Sequence, residues 1–71
     1  MNTTLETIIG IRLRAEALEA PTHLRVYFQQ GDSRPLWWRA VRPNTLDNDV
    51  SRLIDMVADG FDIAHVAEMT D

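Results

Sequence analysis

The chain has 71 residues, 45% of them hydrophobic and 25% charged, with no cysteine and a net charge of −4. That length fits one α+β domain spanning 1–71, excludes disulfides, and leaves only His23 and His65 as nitrogen ligands, too few for a structural zinc site. No apolar run approaches the roughly 20 residues of a membrane span, and MNTTLETIIG has no basic n-region or cleavage-like site. The expectation is therefore a cytoplasmic protein. A domain this small buries little surface, and with neither disulfide nor metal available a partner chain or a second copy is the remaining source of stability.

Charge is unevenly placed. Residues 1–45 carry a net +2 and residues 46–71 a net −6, and all seven cations are arginine. Each of them can fork onto a carboxylate or phosphate, or stack on an aromatic ring.

In chain order, Ile9, Ile11, Leu13, Ala15 and Ala17 alternate with Gly10, Arg12, Arg14 and Glu16. This period of two predicts a half-buried strand over 7–15. The helix formers of Arg-Ala-Glu-Ala-Leu-Glu-Ala oppose it and make a helical N-terminus the alternative. Leu24, Val26 and Phe28 alternate with Arg25, Tyr27 and Gln29, Gly31 to Pro35 compose a turn, and Leu36 to Val41 form a β-rich run. Together they predict a hairpin.

Asn44 and Thr45 offer helix caps, and Asp47 and Asp49 sit where the positive end of the helix dipole favours acids. Leu46, Val50, Leu53, Ile54 and Val57 share one face of a helix over 45–59. Gly60 fits its left-handed closing residue, with Phe61 folding back on Met56. Residues 61–69 read as a closing strand, with Ala64 and Val66 on one face and Ile63, Ala67 and Met69 on the other. The rival reading of that segment is the turn and short helix of a helix-turn-helix. The fold class is thus a small antiparallel sheet, β-β-β-α-β or α-β-β-α-β, with one amphipathic helix packed on one face.

If Leu24, Val26, Phe28, Trp38 and Ala40 face the helix, then Arg25, Tyr27, Gln29, Trp37, Arg39 and Val41 face away. Arg12 and Arg14 join them if the first strand pairs here. An uncovered face mixing arginine with aromatics marks a contact surface, and these residue types dominate binding hot spots. Arg25, Tyr27, Trp37, Arg39, Arg12 and Arg14 are the expected protein-binding residues. Asp47, Asp49, Asp55 and Asp59 form a secondary acidic surface, either solubilising or aimed at a basic partner.

The same face suits single-stranded nucleic acid, with bases stacked on Tyr27 and Trp37, but the overall charge is acidic. A DNA-reading regulator would need a second helix to enter the groove, so it would have to be completed by a partner. Asp47-Asn48-Asp49 lacks the glycine and closing glutamate of a calcium loop. No nucleophile elbow, triad spacing or glycine-rich phosphate loop is present. The expectation is a non-enzyme with no cofactor and no small-molecule substrate, bound to a protein partner or to itself as a homodimer.

In length, charge and lack of catalytic motifs the chain resembles, in manner, small accessory proteins of phages and other mobile elements, anti-CRISPR proteins among them. That resemblance implies binding to, and inhibition of, a host protein complex.

Overall fold

A computed structural model describes residues 3–35 and 37–70. Helix α1 (Thr3–Glu16) leads into strands β1 (Thr22–Gln29) and β2 (Trp37–Val41), a 3-10 turn (Pro43–Thr45), helix α2 (Leu46–Ala58) and strand β3 (Asp62–Thr70). The order is α-β-β-α-β. The three strands form an antiparallel sheet in the order β2-β1-β3. Both helices lie on one face, where Ile11 and Ala15 of α1 and Leu53 of α2 share a core with Leu24, Val26, Phe28 and Val41.

The strand expected over 7–15 is part of α1 instead. Its apolar residues satisfy two periods at once, because Ile8, Ile11 and Ala15 recur at i, i+3 and i+7. Those three are buried, at 6%, 2% and 0% exposure. Ile9 and Leu13, which the alternation put beside Ile11, are 50% and 61% exposed, and Leu5 is 52% exposed. The helix formers of the segment prevail over its alternation, and only one stripe of the helix meets the core. Two helices, not one, therefore cover the sheet.

Helix α2 matches the expected range to within one residue at each end. Gly60 adopts φ 100°, the Gly60 amide donates to the Val57 carbonyl at 3.1 Å, and the Phe61 amide donates to the Met56 carbonyl at 3.2 Å. This is the paired closing geometry that a left-handed glycine permits. Phe61 and Met56 both pack against the core. Val50 and Leu53 are buried as expected, whereas Ile54 is 49% exposed and stands outside the packed stripe.

The expected closing strand is β3, paired with β1 along its length. One irregularity changes its faces: Tyr27 pairs with His65 but Phe28 pairs with Ile63, which leaves Ala64 as an extra residue. Such a bulge shifts the alternation by one. Ile63 and Val66 therefore both reach the core side, where unbroken alternation would have sent them to opposite faces.

Candidate functional site: the open face of the sheet

Strand alternation places Arg25 and Tyr27 opposite the buried Leu24, Val26 and Phe28. The register then builds two rows across the open face. One runs Trp38–Tyr27–His65 and the next runs Ala40–Arg25–Ala67. The Arg25 guanidinium lies over the Trp38 ring at 4.9 Å from its centroid, within the range of a cation–π contact. The Tyr27 and His65 rings stack with centroids 5.9 Å apart and 30° between their planes. Trp38 is 60% exposed. His65 is exposed as well, while Tyr27 between them is half-buried.

At one end of this face, Arg34 and Pro35 of the β1–β2 loop join Tyr27, His65 and Ala67 around a shallow cleft. The loop is held by the Ser33 hydroxyl, which donates to the Gln30 carbonyl at 2.6 Å, and by the Gln29 side-chain amide, which donates to the Ser33 carbonyl.

The expected site residues separate into three groups. Arg25 and Tyr27 are on the open face as anticipated. On β2 the faces are exchanged. Phe28 pairs with Trp37 and Tyr27 with Trp38, one residue out of phase with the expected alignment, and a slip of one residue turns every side chain over. Trp38 and Ala40 therefore stand on the open face in place of Arg39 and Val41; Val41 is fully buried. The Trp37 side chain lies outside the described residues.

Arg39 faces the helices, where its Nη2 donates to Asp49 Oδ1 at 3.3 Å. Asp49 is not part of a solvated acidic face, being only 6% exposed. Its Oδ2 accepts from the Arg42 amide at 3.2 Å and from the Thr45 hydroxyl at 2.5 Å. Thr45 thus makes no side-chain cap bond to the helix backbone. Its hydroxyl serves Asp49 instead, and the carboxylate ties β2, the 3-10 turn and α2 together.

Arg12 and Arg14 are on α1 and leave the sheet face altogether. Arg12 bridges Glu16 at 3.2 Å and Asp47 at 2.8 Å, fastening α1 to the start of α2. The hydrogen bond to Asp47, with Glu16 adding to it, raises the guanidinium pKa above its ordinary value. Of the expected acidic surface, Asp55 and Asp59 remain exposed and Asp47 is engaged by Arg12.

Sequence reasoning missed Trp38 and His65 as members of the open face. No local signal marked them, because the β1–β2 and β1–β3 registers place them there.

No family model matches the chain, and no curated protein or solved structure is significantly similar to it.

Proposed function

We propose that the chain is a non-enzymatic protein-binding module whose contact surface is the open sheet face formed by Arg25, Tyr27, Trp38 and His65. The observation that carries this reading is the one-sided layering. Both helices pack on the same side of the sheet, and the other side presents an aromatic row with an arginine laid over it. Exposed aromatics cluster at contact surfaces, and rigid aromatic and arginine anchors supply most of the energy of protein interfaces. A binder of this kind acts by occupying a surface of its partner. Inhibition by occlusion, as in the phage accessory proteins it resembles in manner, is the corresponding activity.

A single-stranded nucleic acid fits the face less well. Arg25 already covers Trp38 and His65 already covers Tyr27, so bases would have to displace both, against a net charge of −4.

The test is a photo-crosslinking residue placed at Tyr27, with the same residue at the exposed Ser51 of α2 as control. A discrete protein adduct from position 27 and none from 51 is the expected result. Equal adducts from both, or a salt-sensitive change in tryptophan fluorescence on adding single-stranded DNA or RNA, would sink the assignment.

Self-association has its own supporting feature. Leu5, Ile9 and Leu13 form an exposed apolar stripe at intervals of four, symmetric about Ile9. Two copies of α1 laid antiparallel would cover Leu5 with Leu13 and Ile9 with Ile9, the self-complementary arrangement of a twofold dimer. Sedimentation should then show a dimer that Ile9→Glu converts to monomer. A monomeric wild type would end this second reading.

A further inference from the structure

The sheet has a second feature that its open face does not use: the free edge of β2 runs beside α2. Strand β2 is paired only with β1, and among the described residues no group from outside the sheet bonds to the backbone of 37–41. An unpaired edge is a template for another strand. Here it borders a groove, walled on the strand side by Trp38 and Arg39 and on the helix side by Asp55 and Asp59, with the half-buried Met56 between them and the buried Phe28 beneath.

We infer that this groove takes an extended, basic segment of a partner protein, added as a fourth strand antiparallel to β2. The inference rests on the reading of the chain as a protein-binding module but uses a surface that shares only Trp38 with the open face.

Charge selects the occupant. Arg39 is matched by Asp49. Arg52 also lines the groove, so its charge with those of Asp55 and Asp59 sums to −1, and neither acid bonds to a described side chain. One carboxylate is left over, in the half of the chain that carries −6. An added strand would point alternate side chains toward α2 and toward Trp38. Facing α2, a lysine or arginine lays its methylene stem on the half-buried Met56 and brings its charge to Asp55 and Asp59. Main-chain bonds then provide binding and the alternate side chains provide selectivity, as in other strand-addition complexes. The β3 edge is the poorer template, because the bulge at Ala64 interrupts it.

The probe is a capped hexapeptide of alternating lysine and valine, titrated into isotopically labelled protein and followed by amide chemical shifts. The expected result is a saturable change confined to the amides of 37–41 and 52–59. The Asp55→Asn, Asp59→Asn double variant should bind about tenfold more weakly. Tyr27→Ala with His65→Ala, which strips the part of the open face away from Trp38, should leave the affinity unchanged, as should Asp62→Asn with Glu68→Gln, which removes the same charge from β3. An alternating glutamate–valine peptide should not saturate, and a lysine–valine peptide with a central proline should bind weakly, because it keeps the charge but loses a main-chain donor. The inference is overturned by shifts lying elsewhere, by equal binding of the proline peptide, or by equal weakening in the β3 variant. None of these results would touch the crosslink from position 27, so the two surfaces stand or fall separately.

Discussion

On the helix side of the sheet, Leu24, Val26, Phe28 and Val41 are each no more than 1% exposed, while on the other side the same strands hold Trp38 at 60% exposure. Both faces contain large apolar groups, and the physics acting on them differs. The inner side chains are fixed by volume, because α1 and α2 close over them and a missing methylene leaves a cavity. The outer ones are arranged by lateral contacts alone: guanidinium over indole, phenol against imidazole. The second set is therefore free to serve an encounter with another molecule.

Three substitutions test that contrast. Leu24→Ala empties a fully buried site between sheet and helices and should destabilise by about 2–5 kcal/mol in urea unfolding. A loss under about 1 kcal/mol would mean that the helix layer is not close-packed. Asp49→Ala removes the carboxylate that joins β2 to α2 and leaves the Thr45 hydroxyl, the Arg42 amide and Arg39 without their acceptor. About 1–3 kcal/mol should be lost, measured the same way. No change would show that water replaces the carboxylate and that the link is not structural. Trp38→Ala on the open face should cost the least, under about 1.5 kcal/mol, because it gives up only a lateral aromatic row and a cation–π contact. A penalty as large as that of Leu24→Ala would erase the distinction between a structural face and an available one.

Much of the architecture was legible in the residues. The alternation of Leu24, Val26 and Phe28 marks β1 and its buried side. The acids at 47 and 49, the apolar spacing from Leu46 to Val57 and the glycine at 60 delimit α2 within one residue at each end. The partition of the candidate site was legible only on β1. The alternating apolar residues of 9–17 fit a strand and a helix alike, and Asp49 looked like one more acid on a polar helix face.

What the sequence by itself determined is set by local chemistry: the turn at Gly31 to Pro35, the extent and glycine-closed end of α2, the inward face of β1 and the lack of any disulfide. Tertiary structure alone decided which period of α1 meets the core, that Trp38 faces outward, where β3 takes its bulge and which arginine is matched by Asp49. The physical reason is common to all four. Each is a choice between local conformations of similar energy, and it is resolved only when the segment packs against residues distant in the chain, where a shift of one residue exchanges a buried side chain for an exposed one.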